Sequence, residues 1–316
     1  MPTRKSPRKG SLQFWPRKRA KKFLPRVNWN VINSTTSEKG LKGFICYKAG
    51  MASAYVKDNT EHSMTKGKKI ILPVTILECP SMKILSVRFY KNGLPVKEVI
   101  AENLDKDLKR KIKISKEKHS INDIKEGYDD IRIICYSQVR KTGLKKTPDL
   151  SEIGLSGTLD EKMSFVKENL GKEISVSDIF KQGQLVDFRG LTKGHGLSVP
   201  VKRFGITLKS HKSEKGVRRP GSLGPWHPAR VTFRAPMAGQ LGMFNRISYN
   251  NSIIHIDKHS ENKKLENISN FGDVKTDYII VRGSIQGPAK RQLLATFPLR
   301  KTKKQEKKKF EFIELR

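Results

Sequence analysis

The sequence predicts a mainly β protein with a helical insertion, an α+β chain built on an antiparallel β-barrel with a long basic internal loop and an N-terminal extension. Three observations carry that prediction. Short runs rich in β-branched and aromatic residues, cut by Gly, Pro and Asn, lie on both sides of a more helical stretch. Closing such strands on themselves removes exposed edges. The stretch 188–256 holds one acid, Glu214, against twelve Lys or Arg, and nine of the chain's 24 glycines fall between Gly190 and Gly242. Residues 1–37 hold ten Lys or Arg and no acid at all.

The elements follow in order. Residues 1–40 form a basic extension. Pro2, Pro7, Pro16 and Pro25 forbid a long helix there. Its charges are mixed with Phe14, Trp15, Phe23 and Trp29, and aromatics belong on surfaces that become buried. The extension is therefore expected to order on a partner rather than to trail as a disordered tail. Residues 41–100 make the first part of the barrel body, through "LKGFICYKAGM", "KIILPVTILECP", "KILSVRFY" and "PVKEVIAE". Residues 101–182 are a helical or mixed insertion expected to pack outside the barrel. Within it, 102–120 is charged and helix-like, with Leu104, Leu108 and Ile112 at i, i+4 and i+8. "IRIICYSQV" returns to strand, 159–171 is an amphipathic helix ended by Gly171, and 174–180 opens another short helix. Residues 183–300 complete the barrel. Their strands are "GQLVDFRG", "ARVTFRAP", "RISYNNSIIHIDK" and "TDYIIVRGSIQGP", and the finger loop occupies about 189–245. Residues 301–316 read as a basic tail.

The chain of 316 residues carries 65 Lys or Arg against 30 Asp or Glu, a formal net charge of +35. A compact body with that charge repels itself unless a polyanion neutralises it, which makes nucleic acid the expected partner. No apolar run approaches the ~20 residues of a spanning helix, so no membrane partner is expected. Cys46, Cys79 and Cys135 lie far apart in apolar runs and read as reduced core residues. The seven His form no metal-ligand spacing, and no nucleophile elbow or phosphate loop occurs. The sequence therefore supplies no catalytic residue, no metal set, no cofactor motif and no small-molecule substrate site.

What remains is the basic loop, and within it "RRPGSLGPWHPARV". Gly and Pro exclude a helix or central strand there. A segment that threads between RNA strands must be thin, cationic and irregular, with flat groups to stack on unpaired bases. DNA readers instead offer a helix or ribbon to a groove, so RNA is preferred. Trp226 is such a flat group. It either stacks on RNA or folds back to anchor the loop on itself, and composition leaves both open.

Five segments carry a resemblance to a known family: "RKGSLQFWPRKRAKK", "VDFRGLTKGHGLSVPVKRFG", "GSLGPWHPARV", "RAPMAGQLGMFNR" and "VRGSIQGPAKR". In this order they resemble the large-subunit ribosomal protein L-three family in its archaeal form, over residues 8 to about 300. The resemblance implies a six-stranded closed barrel of the translation-protein type. It implies a structural protein of the cytoplasmic large ribosomal subunit that binds large-subunit rRNA, nucleates early assembly and touches neighbouring ribosomal proteins. It also implies that the loop and arm reach toward the peptidyl transferase centre, with Trp226 at the loop tip. The residues expected on rRNA are, in the arm, Arg8, Lys9, Trp15, Arg17, Lys18, Arg19, Lys21, Lys22 and Arg26. In and around the loop they are Arg189, Lys193, His195, Lys202, Arg203, Lys209, His211, Lys212, Lys215, Arg218, Arg219, Trp226, His227, Arg230, Arg234 and Arg246, and beyond it Lys290 and Arg291. Glu214 stands where eukaryotic relatives carry a methylated His, so that modification is not expected here. Two other readings compete: a free-standing RNA chaperone or assembly factor, and an enzyme on a related barrel.

Overall fold

The structure is a computed structural model and describes residues 7–8, 10–35, 38–113, 127–258 and 265–316. The chain divides into two units. One, the body, comprises residues 23–190 and 247–316. The other comprises residues 1–22 and 191–246.

The body begins with helix α1 (Trp29–Thr35), then β1 (Gly40–Leu41), the long β2 (Gly43–Asp58), β3 (Lys69–Glu78), β4 (Met82–Lys91) and β5 (Leu94–Ile100). β6 (Asp130–Ser137), β7 (Leu150–Ser156) and α2 (Leu159–Asn169) follow, then β8 (Leu185–Leu191), at whose end the chain leaves the body. The second unit contains β9 (Gly194–Ser198), α3 (Pro200–Phe204) and β10 (Gly239–Gly242). The chain returns along β11 (Asn245–Asp257) and continues through β12 (Tyr278–Arg282), β13 (Gln292–Thr296), α4 (Lys303–Glu306) and β14 (Phe310–Leu315). The protein is mainly β with few helices.

The body's strands form two sheets. Seven pair in the order β13-β8-β11-β12-β3-β2-β14, and β13 pairs with β2 as well. β2 can serve three partners because it is 16 residues long. β3 runs along one edge of it, while β13 takes residues 43–47 and β14 takes 54–58 of the other. Strand periodicity then supplies two cores. Ile279 and Val281 of β12 pack with Phe44, Leu77 and Phe188, whereas Tyr278 and Ile280 pack with Val56, Val74, Ile76 and Ile254. The three cysteines are free and buried, as core residues.

Several expectations need correction. Strands β4 and β5, expected in the barrel body, join β6, β7 and β1 in a separate five-stranded antiparallel sheet. Single-strand patterning carries no record of the partner, so this could not be read locally. The helix expected over 102–120 is a 3-10 turn at Lys106–Arg110 in its described part, and 114–126 lie outside the described residues. One turn is enough to bury Leu108 beside Leu85 and Tyr136. The 159–171 helix is confirmed as α2, opened by a Thr158–Glu161 capping box. "ARVTFRAP" forms no strand. Its alternation lacks a neighbour, and an unpaired strand leaves its backbone groups unsatisfied. The extension does not run to residue 40 as an arm. Trp29 is 2 % exposed in the body core, where a Cβ on Gly154 would stand 2.7 Å from the Cβ of Trp29. The C-terminal residues are not a tail either, because β14 pairs with β2 from Phe310 to Leu315.

Candidate nucleic-acid interface

The second unit is assembled from a two-stranded hairpin, a short helix and the arm. β9 and β10 pair antiparallel, Gly239 against Ser198 and Gly242 against Gly194. Gly242 is at φ 79°, and a Cβ there would stand 1.9 Å from the carbonyl oxygen of Lys193, so only glycine closes this hairpin. Between the strands, α3 starts with Pro200 and stops at Gly205, whose left-handed backbone (φ 63°) lets its N–H bond back to Val201.

That single turn presents Phe204, buried at 3 % exposure. Around its ring stand three guanidinium groups: Arg17 at 4.4 Å, Arg203 at 5.2 Å and Arg8 at 5.8 Å from the centroid. Trp15 packs at 6.5 Å from Phe204 and 5.5 Å from Phe233. The arginines are tied by carbonyls rather than carboxylates. Arg8 Nη1 donates to the Arg234 carbonyl (2.5 Å), Arg17 Nη1 to Arg203 (3.0 Å), and Arg203 Nε and Nη1 to Gln240 (3.0 Å) and Met237 (2.9 Å). The Ala20 N–H donates to Met243 (3.0 Å). Arg246 lies over Phe14 (4.7 Å) and Phe244 (5.4 Å). The arm is thus held on the base of the loop by cation–π contacts and guanidinium–carbonyl bonds.

The electrostatics of this cluster are one-sided. Burial, and after it the charges of Arg203, Arg8 and Arg246, hold the Arg17 guanidinium below its ordinary value. The unit's one acid, Glu214, is spent on Lys209. In the whole unit twenty Lys or Arg face that one acid, while the body holds the remaining 45 against 29. A counter-anion from outside is what such a surface lacks.

The expected RNA-facing residues are distributed as follows. Lys18, Arg19, Lys21 and Lys22 of the arm are exposed; Arg8, Trp15 and Arg17 sit half-buried in the aromatic cluster; Lys9 lies outside the described residues. In the loop, Lys193, His195, Lys202, His211, Lys212, Lys215, Arg218, Arg219, His227, Arg230 and Arg234 are exposed, and Arg203, Lys209 and Arg246 half-buried. Trp226 is 89 % exposed, so its indole does not fold back into a core of the loop. Arg26, Lys290 and Arg291 belong to the body. The first two are exposed, and Arg291 covers the ring of Phe23 at 5.2 Å. Arg189 departs from expectation. It is 7 % exposed in β8, its Nε donates to Thr296 Oγ1 (3.3 Å), and burial lowers its guanidinium pKa. It is placed to serve the sheet rather than an exposed phosphate.

Sequence reading missed Phe204 and Phe233, which organise the arginines. The signal was present in "PVKRFG": Pro at a helix start, Gly at its end, and one aromatic between basic residues.

A β-sheet body and a cationic unit of arm and loop, rich in arginine and exposed aromatics, define the class: a strongly basic, mainly β protein in whose described residues no His, Cys, Asp or Glu cluster could hold a metal ion. The family model for ribosomal protein L3 matches residues 1–316, and the chain belongs to that family. It is similar to the large ribosomal subunit protein uL3 of Methanocaldococcus jannaschii, at 38 % identity over 304 residues (91 % of this chain and 90 % of that protein). The Archaeoglobus fulgidus protein of the same name is 38 % identical over 299 residues (90 % and 89 %). That of Methanococcoides burtonii is 37 % identical over 314 (93 % and 92 %). As a family member the chain is a ribosomal protein of the large subunit, part of the cytoplasmic ribonucleoprotein of translation.

Proposed function

We propose that this protein is a structural constituent of the large subunit, not an enzyme, that binds large-subunit rRNA directly and nucleates early assembly. The body is read as a six-stranded closed barrel with a mixed insertion at about 101–182. The circuit of pairings β13-β8-β11-β12-β3-β2, with β2 pairing back to β13, supports that reading. The arm and the finger at about 189–245 enter the RNA and reach toward the peptidyl transferase centre, with Trp226 at the tip. Neighbouring ribosomal proteins touch the body, and neither a membrane nor a small molecule is a partner.

The observation that carries this reading is the arginine–aromatic unit, whose charge has no internal counterpart. Phosphates supply that counterpart, and unpaired bases supply flat partners for exposed indole. The test is cosedimentation with large subunits in high salt, paired with a footprint on the rRNA. Protections by residues of the loop near the peptidyl transferase centre are expected. A protein that washes off with salt, or one that protects no rRNA, overturns the reading.

A further inference from the structure

The body holds a second cationic feature that the expected RNA-facing residues do not include. The 59–66 turn after β2, the end of β12 and the C-terminal segment around α4 enclose a cleft of about 810 Å³. A smaller cavity of about 230 Å³ lies along Tyr249, Asn250, Asn251 and Ser252 of β11. Arg282 and Lys308 line both, so the two form one elongated groove.

Its charges are unbalanced. Lys304 and Lys307 join Arg282 and Lys308 along the wall. Among the described residues, the C-terminal segment's ion pairs are Lys301–Glu306 and Lys69–Glu314, and neither uses a groove-lining cation. The charge of Arg282, then burial and Lys304, push the Lys308 ammonium below its ordinary value. Asp58 and Glu61 are the two acids of the lining against the six Lys or Arg at 66, 282, 304, 307, 308 and 309, so Asp58 offsets only part of that charge. Burial pushes its carboxyl up, but Ser63 and Thr65 hydroxyls (2.6 Å each) and the Thr60 N–H (2.9 Å) outweigh that and hold it well below the usual range. The groove also offers a flat group. Tyr249 is 54 % exposed.

We propose that this groove is a second RNA site, on the body, where an unpaired rRNA segment sets phosphates against Arg282, Lys304 and Lys308 and stacks a base on Tyr249. The chemistry matches part for part: phosphodiesters for adjacent cations and a base for the exposed ring. An acidic peptide would satisfy the cations but leaves Tyr249 without a stacking partner. The proposal rests on the reading of the protein as an rRNA binder and adds a contact independent of the arm and loop.

The test uses the full chain, a large-subunit rRNA transcript, and the double variant Lys304→Gln/Lys308→Gln. Both lysines lie in or beside α4, and the stacking of Arg282 on Phe310 (5.0 Å) is left in place. The variant is expected to melt like the wild type. The slope of log affinity against log salt should become shallower by about 1.5, with affinity down roughly tenfold at physiological salt, as for two lost phosphate contacts. Ultraviolet crosslinking should place RNA on Tyr249 in the wild type. An unchanged slope with crosslinks confined to the arm and loop overturns the groove site while leaving the main function intact. Unchanged RNA binding with lost binding of a poly-glutamate probe makes the groove a protein dock and also overturns it. A wild-type chain that does not bind the transcript defeats both readings together.

Discussion

The body and the arm-and-loop unit are made from one chain but solve different problems. The body buries three apolar clusters and sets 29 acids among its 45 basic residues, so it balances most of its charge internally. Among the described residues of the other unit, Leu191, Pro200, Phe204 and Ala235 are the buried apolar side chains. Four such residues do not offset the ordering of a 78-residue unit, since fixing one residue's backbone costs about 1–2 kcal/mol. On the proposed function, neutralisation of their charge by rRNA orders the arm and loop fully, whereas the body folds by excluding water.

Two tryptophans give the widest separation between the regions. Trp29→Ala should destabilise the free protein by about 3–5 kcal/mol, because it empties a fully buried site roofing Gly154. Chemical denaturation followed by circular dichroism measures this, and a loss below about 1 kcal/mol would mean that α1 is not part of the core.

The next effect belongs to the body alone. Glu78 is buried, and desolvation raises its carboxyl to about 7 despite N–H bonds from Lys275 (2.8 Å) and Thr276 (3.1 Å). The ordinary value is 4.5. Between these values the folded state holds a proton that the unfolded state has released, so stability falls as pH rises from about 5 through 7. The loss is of order 2–3 kcal/mol. Glu78→Gln should flatten this dependence in melts run from pH 5 to 8. An identical slope in the variant would assign the dependence elsewhere.

For the arm and loop, Arg17→Gln/Arg203→Gln should leave the body's melt in place and weaken rRNA binding, with a salt slope shallower by about 1.5. If the melt falls instead while binding holds, the arginine cluster is a structural device. The smallest expected change is the stability effect of Trp226→Ala, within about 0.5 kcal/mol, as for a surface residue. On ribosomes the same variant should incorporate normally but alter puromycin reactivity. A stability loss like that of Trp29 would erase the distinction between the two regions.

Much of this was legible in the sequence because it depends on local or summed properties. Acid-free stretches with Gly and Pro identified the arm and finger, since charge adds up without regard to partners. Alternating apolar runs located β2, β3, β6, β8, β11 and β12, since each strand's faces are set by its own period. An amphipathic run closed by Gly171 located α2 from within a few residues.

Tertiary structure decided the rest, and the reason is that hydrogen-bond and burial partners are distant in sequence. Whether β4 and β5 join β6 or β2 depends on which edge is free once the chain has compacted. Trp29 and Trp226 sit in similar basic, proline-containing contexts, yet one meets the Gly154 backbone and the other meets none, and only folding distinguishes them. Arg189 and Arg203 are both arginines in glycine-flanked strings. The sheet buries the first, while the second stays half-exposed against Phe204 and Trp15. Arg282 and Lys308 are 26 positions apart and become one groove only because β14 returns to β2. Composition set the expectation of a polyanion partner. Packing determined which of its cations remain to meet it, because burial against the chain's own surface removes a charge from the solvent in which a partner could reach it.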